Sequence, residues 1–134
     1  MITAIDSSVL FDIVKGTSQA EASLWALTAA AEQGIPCVST PVVAELGRYF
    51  EKPAQLREFF GDAQIEFSEL SLEAALAAAG VMYQYAKNKG PRRRVSADFL
   101  IGAHAMVHAD CLLTRDADFY RDYFKGLKII NPGA

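Results

Sequence analysis

Residues 1–14 read MITAIDSSVLFDIV, and this stretch indicates how the fold begins. The apolar run from Ile2 to Ile5 has strand character and ends at a carboxylate, Asp6. Two serines follow, and the apolar residues after them recur at helical spacing. A short strand that leads directly into a helix is the opening unit of an α/β fold.

The alternation of apolar runs and helical segments continues to the end of the chain. We predict further strands at 37–39, 65–70, 111–114 and 128–130, with helices at 18–31, 40–50, from 53, 71–85, 97–109 and after 116. Strands separated by helices predict a parallel sheet that carries helices on both faces. The predicted fold class is therefore α/β, with residues 1–134 forming one domain around a central parallel sheet of about five strands.

Composition limits the class of protein further. The 134 residues are 51% hydrophobic and 22% charged, which predicts a folded chain with a substantial core. The net charge of −3 conceals an asymmetry, because residues 1–80 hold 4 basic and 11 acidic residues and residues 81–134 hold 9 and 5. Cys37 and Cys111 lie in apolar runs and predict buried thiols. With no secretory or membrane-spanning pattern, we expect a cytoplasmic protein without a membrane partner.

Acidic residues stand where a parallel sheet binds ligands, at the carboxyl ends of its strands. Asp6 ends the first strand and Asp116 follows the fourth, while Glu45 and Asp98 lie near the starts of helices whose side chains lean toward the same edge. Clustered carboxylates raise one another's pKa unless a cation compensates them, and all-oxygen sites suit Mg²⁺ or Mn²⁺. Taken singly, each acid also fits a cap, a turn or a solvated face. Their joint placement favours a metal site.

The basic segment 87–94 holds five of the thirteen lysines and arginines immediately before Asp98. Such a segment can bind a phosphate backbone beside an acidic site, and the three consecutive arginines favour this over the alternative of a solvated helix end. The candidate RNA-binding residues are Lys89, Arg92, Arg93, Arg94 and Arg115. For Arg115, a structural ion pair is an equal alternative. His104 and His108 stand four residues apart without a third nitrogen or sulfur ligand, so we assign them a structural role.

Four segments together resemble the PIN domain, and more narrowly the VapC toxins of bacterial toxin-antitoxin pairs. They are residues 5–10 (IDSSVL), 43–46 (VAEL), 97–105 (ADFLIGAHA) and 113–119 (LTRDADF). The resemblance implies a metal-dependent endoribonuclease that uses Mg²⁺ or Mn²⁺, acts on RNA, is inhibited by a cognate VapB-like antitoxin and forms a homodimer. By the same resemblance the catalytic residues are Asp6, Glu45, Asp98, Asp116 and Thr114, and the metal ligands are Asp6, Glu45, Asp98, Asp116 and Asp118. Asp118 matches a position at which the family is often, but not always, acidic.

Two alternatives stay open at this point. One is a housekeeping PIN nuclease that processes RNA, and the other is a non-enzymatic, Mg²⁺-binding doubly wound signalling module. A phosphoryl-accepting receiver would need an aspartate at the end of the third strand, where Ser68, Glu69 and Leu70 stand. No Ser-His-Asp or Cys-His arrangement is readable, so the chemistry is assigned to activated water rather than to a protein nucleophile.

Overall fold

The structure is a computed structural model that describes residues 1–88 and 94–133. Within these residues, five strands alternate with seven α-helices. The strands are β1 (Ile2–Ile5), β2 (Ile35–Ser39), β3 (Glu66–Ser68), β4 (Cys111–Leu113) and β5 (Lys128–Ile130). The helices are α1 (Ser7–Lys15), α2 (Ala20–Gln33), α3 (Thr40–Leu46), α4 (Pro53–Asp62), α5 (Leu72–Lys87), α6 (Ser96–His108) and α7 (Ala117–Tyr123).

The five strands form one parallel sheet in the order β3-β2-β1-β4-β5. In the register, Ala4 of β1 lies beside Cys37 on one side and Leu112 on the other. The sheet confirms the predicted α/β fold class. Strand order reverses between β1 and β4, because the chain builds β2 and β3 on one side of β1 and then crosses to the other. The carboxyl ends of β1 and β4 therefore flank the crevice in which α/β sheets bind ligands.

Burial of the strands and of the inner helix faces forms the core. Ile5, Val38, Leu112 and Leu113 are buried in the sheet, and the apolar faces of the helices cover them. At Gly102 of α6, a β-carbon would lie only 2.6 Å from the ring of Phe124, so the glycine allows close approach of the segment that follows α7. This packing positions the start of α6 and the start of α7 at the same edge of the sheet.

Several boundaries differ from the sequence prediction. The helix predicted over 40–50 ends at Leu46 and continues as a short 3-10 turn, Gly47–Tyr49. The strand predicted over 65–70 is limited to Glu66–Ser68, where it pairs with β2 at the sheet edge. Cys37 and Cys111 are buried free thiols, as predicted. Within the two described ranges, no helix has the length and apolar character needed to cross a bilayer.

Candidate active site

Asp6 lies directly beyond β1 and is almost completely buried, with 5% of its surface exposed. Its backbone N–H donates to the carbonyl of Leu113, which extends the pairing of β1 with β4 by one residue. Its carboxylate oxygen Oδ2 accepts hydrogen bonds from the hydroxyls of Thr114, at 2.6 Å, and Ser8, at 3.0 Å. Thr114 is itself buried at the end of β4 and accepts a bond from the backbone N–H of Asp116. One hydroxyl thus aligns both acids at this edge.

Glu45 reaches the same edge from the second strand of the chain. It lies in α3, which follows β2 without a connecting loop. The hydroxyl of Ser7 donates to Glu45 Oε1 at 2.5 Å, and Ser7 is the residue next to Asp6. The short junction between β1 and α1 therefore supplies one carboxylate, that of Asp6, and orients a second, that of Glu45, through the hydroxyl of Ser7.

Asp98 and Asp116 meet on the other side of the site and share one arginine. Arg94 Nη1 donates to Asp116 Oδ2 at 2.5 Å and to Asp98 Oδ2 at 3.3 Å. Its guanidinium carbon lies 3.9 Å from the centroid of the Phe119 ring. Arg94 therefore lies on the acids themselves, whereas the sequence analysis proposed it as a contact for RNA.

Two of the clustered acids, Asp6 and Asp98, have raised pKa values. Burial, against the hydrogen bonds from Thr114 and Ser8 and with the charges of Asp98 and Glu45 acting in the same direction as burial, raises the pKa of Asp6 to about 6. Burial also raises the pKa of Asp98, with Asp116 acting in the same direction, even though Arg94 opposes both effects. With all four carboxylates ionised, the 4 negative charges and the 1 positive charge of Arg94 give the site a formal charge of −3. The site lacks enough positive charge of its own.

Tyr120 adds a buried hydroxyl beside these acids. It is fully buried in α7, and its hydroxyl has no hydrogen-bond partner among the described residues. Burial raises the pKa of this phenol, and the negative charges of Asp6, Asp98 and Asp116 raise it further. A buried hydroxyl ordinarily has a partner, so this donor indicates an acceptor that belongs to a ligand or to bound water.

The donor set fits a divalent cation such as Mg²⁺ or Mn²⁺. Its atoms are carboxylate and hydroxyl oxygens, and the raised pKa of Asp6 together with the orphaned Tyr120 hydroxyl indicates a polar site whose charge is uncompensated. Among the residues the structure describes, no group of three or more His, Cys, Asp or Glu side chains is placed to hold a metal ion by itself. Mg²⁺ commonly takes only one or two protein carboxylates and keeps several waters, so an open set of acids suits it.

Two predicted site residues lie apart from the cluster. Asp118 has 95% of its side chain exposed and pairs with Arg121 on the surface of α7. Arg115 turns its guanidinium away from the cluster, toward Asp12 at 2.7 Å, Ser23 at 2.8 Å and the carbonyl of Gln19 at 3.2 Å. These contacts match the structural ion pair that was the alternative interpretation of Arg115. The predicted RNA contacts Lys89, Arg92 and Arg93 lie outside the described residues.

Sequence reasoning named the Thr114 hydroxyl but missed Ser8, Tyr120 and the ring of Phe119. Ser8 bonds to Asp6 and also accepts from the backbone N–H of Arg115, which joins α1 to the segment after β4. Tyr120 stands four residues after Asp116, a spacing that places both on one helix face, and this signal was readable. The four-residue spacing of Arg94 and Asp98 was a similar signal in the sequence. The contact of Arg94 with Asp116, in contrast, forms only because the sheet brings the starts of α6 and α7 together.

Several solved structures share this fold. VapBC2 from Rickettsia felis, bound to a DNA fragment from its promoter, matches with a TM-score of 0.75 and 18% identity over 98% of both chains. VapBC-1 from nontypeable Haemophilus influenzae matches with a TM-score of 0.74 and 16% identity over 100% of both chains. FitAcB from Neisseria gonorrhoeae matches with a TM-score of 0.64 and 20% identity over 99% of both chains. At these identities the likeness establishes the fold alone.

Sequence comparison assigns the family. No curated protein sequence is significantly similar to this chain. The PIN domain family model, in contrast, matches residues 3–125, which includes all four clustered acids, Thr114, Arg94 and Tyr120. The match covers nearly the whole length, and the chain belongs to the PIN domain family.

Proposed function

We propose that this PIN-domain protein is a VapC-type toxin, a metal-dependent endoribonuclease that hydrolyses RNA phosphodiester bonds and is inhibited by a cognate antitoxin. The observation that carries the proposal is the cluster of Asp6, Glu45, Asp98 and Asp116 at the switch between β1 and β4, with one arginine against four carboxylates. A bound Mg²⁺ or Mn²⁺ would activate water and offset the charge that develops on the phosphate.

The protein's own residues have distinct roles in this proposal. Asp6, Glu45, Asp98 and Asp116 would hold the cation. Thr114 fixes the orientation of Asp6 by donating to its Oδ2, and it receives the backbone N–H of Asp116 in return. Ser7 orients Glu45 in the same way. Because these hydroxyls sit on the ends of strands and the first turn of a helix, they hold the carboxylates rigidly. Asp118 contributes at most an outer contact, since its side chain is exposed.

Binding of RNA requires positive charge near an acidic centre, since a cluster of carboxylates repels the phosphate backbone. The basic segment 87–94 lies immediately before α6, which carries Asp98. We assign RNA binding to Lys89, Arg92 and Arg93 on the basis of the sequence. Replacing cations that contact phosphate is expected to weaken RNA binding and to reduce its dependence on salt.

The toxin assignment depends on partners. The similar solved structures are named as VapBC and FitAcB complexes, and this supports a cognate antitoxin for this chain as well. A homodimer and a cytoplasmic location remain predictions from the family resemblance and the sequence. A housekeeping PIN nuclease would use the same acids without an antitoxin. A small reading frame beside the gene whose product binds this chain and blocks cleavage would decide in favour of the toxin.

Cleavage of RNA by purified, antitoxin-free protein tests the nuclease directly. The wild type is compared with Asp98→Asn and with Asp62→Asn, a matched change of an exposed aspartate at the end of α4. We expect discrete fragments from wild type and Asp62→Asn with Mn²⁺ or Mg²⁺, none with EDTA, and a loss of about 10³-fold for Asp98→Asn, the scale of losing several kcal/mol of charge stabilisation. Cleavage that survives chelation, or that is equal in Asp98→Asn, would contradict the proposal.

A further inference from the structure

Arg94 is the only described lysine or arginine that forms an ion pair with the acid cluster. It lies just before α6, four residues ahead of Asp98 and 22 residues ahead of Asp116, and a single nitrogen, Nη1, contacts both carboxylates. The contact with Asp116 is the shorter one, at 2.5 Å against 3.3 Å. Arg94 therefore stands between two of the four acids, where positive charge is most strongly required.

The Phe119 ring holds this arginine in place. The guanidinium carbon lies 3.9 Å from the ring centroid, a distance at which the face of an aromatic ring attracts a cation. Phe119 is itself buried in an aromatic cluster with Tyr85, Phe99 and Tyr123, so the ring is a fixed platform. Arg94 remains partly accessible, with 27% of its side chain exposed, so it can leave the acids without disturbing the core.

We propose that Arg94 is an internal counter-cation that competes with the divalent metal ion for Asp98 and Asp116. The proposal rests on the proposed function, because it assumes that the cluster binds such an ion. Arg94 Nη1 occupies oxygens of Asp98 and Asp116 that the ion would coordinate, and two cations in one small site repel each other. Loading of the ion then requires the guanidinium to move off Asp116, and Arg94 lowers the metal affinity of the protein.

Mn²⁺ binding to the full-length, antitoxin-free protein tests this competition. Calorimetry gives the dissociation constant, and electron paramagnetic resonance of unbound Mn²⁺ checks it independently. Wild type is compared with Arg94→Gln and with Arg121→Gln, which removes the same charge from an exposed ion pair with Asp118. We expect Arg94→Gln to bind Mn²⁺ about tenfold more tightly, within the usual range of coupling between two competing ligands, and Arg121→Gln to bind like wild type. An unchanged or weaker affinity in Arg94→Gln would overturn the proposal.

A second measurement needs no substitution at Arg94. In wild-type protein, the Nε–Hε resonance of Arg94 is expected to shift when Mg²⁺ is added, because the guanidinium leaves Asp116. The corresponding resonance of Arg115, which Asp12 holds outside the cluster, is the internal control and is expected to stay in place. An Arg94 resonance that stays in place while backbone amides at Asp6 and Asp116 report Mg²⁺ binding would also overturn the proposal.

The two possible failures are distinguishable. If neither wild type nor Arg94→Gln binds Mn²⁺, the metal-dependent function proposed above fails and the role of Arg94 fails with it. If both proteins bind Mn²⁺ with equal affinity, only the competition fails, and Arg94 is then a structural link between α6 and α7. In that second case Arg94→Gln should lower the thermal stability of the protein and leave metal binding unchanged.

Discussion

Asp6 and Asp12 lie one helix turn and a half apart, at the start and in the middle of the segment that opens the fold, and their surroundings are opposite. Asp12 accepts hydrogen bonds from the hydroxyls of Thr17 and Ser23 and from Arg115 Nε. Burial alone would raise the pKa of Asp12, but those three donors hold it below its ordinary value. Asp6 receives only two hydroxyl donors and no cation among the described residues, and burial raises its pKa to about 6.

This difference separates a structural carboxylate from a functional one. Around Asp12, Arg115 connects α1, the start of α2 and the segment after β4, since its guanidinium bonds to Asp12, Ser23 and the carbonyl of Gln19. Around Asp6, the acids outnumber the cations and Tyr120 has an unpartnered hydroxyl. A buried carboxylate that the fold leaves uncompensated lowers stability, and such a cost is commonly found at sites that bind ligands. We therefore interpret the acid cluster around Asp6 as a ligand-binding site.

Replacing Arg115, the cation that compensates Asp12, is expected to have the largest effect on stability. Arg115→Met keeps an apolar stem of similar length but leaves Asp12 without its cation in a poorly exposed position. Breaking one partner of such a pair costs about 3 kcal/mol of unfolding free energy. Chemical denaturation at pH 7.5 measures this loss. If the stability is unchanged, the Asp12 cluster is not the structural link that we describe.

Neutralising Asp6 is expected to stabilise the metal-free protein. The folded pKa of about 6 lies above the ordinary value of 3.8, so protonation of Asp6 favours the folded state, and that contribution is full below pH 3.8 and lost as the pH rises through 6. Asp6→Asn should therefore raise the unfolding free energy at pH 7.5 in EDTA by about 2 kcal/mol, and the gain should shrink toward pH 4.5. Its amide oxygen can still accept from Thr114 and Ser8.

The matched change at Asp12 is expected to have the opposite effect on stability from the change at Asp6. Asp12→Asn should lower the unfolding free energy at pH 7.5, because it removes a carboxylate whose pKa the fold lowers. Denaturation of both variants over pH 4.5–8 checks the signs. Two variants that shift stability in the same direction at pH 7.5 would remove the distinction between the two carboxylates.

Ser8 connects the two regions and is expected to have an intermediate effect. Its hydroxyl donates to Asp6 and accepts the backbone N–H of Arg115 at 3.1 Å. Ser8→Ala leaves the Arg115 N–H without this acceptor and should cost about 1 kcal/mol of unfolding free energy. The loss of a donor should also raise the pKa of Asp6 further, which carboxyl-detected NMR titration would measure. An unchanged Asp6 titration in this variant would show that Ser8 does not influence the site.

The exposed ion pair on α7 is expected to have the smallest effect. Arg121 and Asp118 are largely solvated, and such pairs three residues apart contribute less than about 0.5 kcal/mol. Arg121→Gln should therefore leave thermal stability nearly unchanged, as a thermal melt would show. A loss as large as that of Arg115→Met would mean that loss of positive charge, rather than local geometry, controls stability in this chain.

The sequence predicted the sheet and the edge at which the acids meet, because both depend on local patterns. Asp6 follows β1 directly and Asp116 comes three residues after β4, while Asp98 lies in the first turn of α6 and Glu45 more than one turn into α3, so order along the chain was enough to predict the edge they share. The shortened β3 was harder to predict, since the alternation over residues 65–70 is equally compatible with an extended loop.

The distant carboxylate partners of the two arginines could not be identified from the sequence. Arg94 belongs to a run of basic residues that is typical of a phosphate contact, and Asp116 becomes its partner only because α6 and α7 start at the same edge of the sheet. Arg115 follows Thr114 of the site, yet its side chain crosses to Asp12, 103 residues earlier in the chain. Neighbours in sequence therefore serve different regions, and only tertiary contacts assign each cation to its carboxylate.

The most direct test of the account is the change in unfolding free energy that 1 mM Mn²⁺ causes at pH 7.5 in wild type, Asp6→Asn and Asp12→Asn. Binding to the folded state alone stabilises it, by about 2.7 kcal/mol when the ion is at 100 times its dissociation constant. We predict a clear gain for wild type, the same gain for the less stable Asp12→Asn, and little or none for Asp6→Asn. No gain in wild type, or an undiminished gain in Asp6→Asn, would contradict the claim that the uncompensated carboxylates form a metal site.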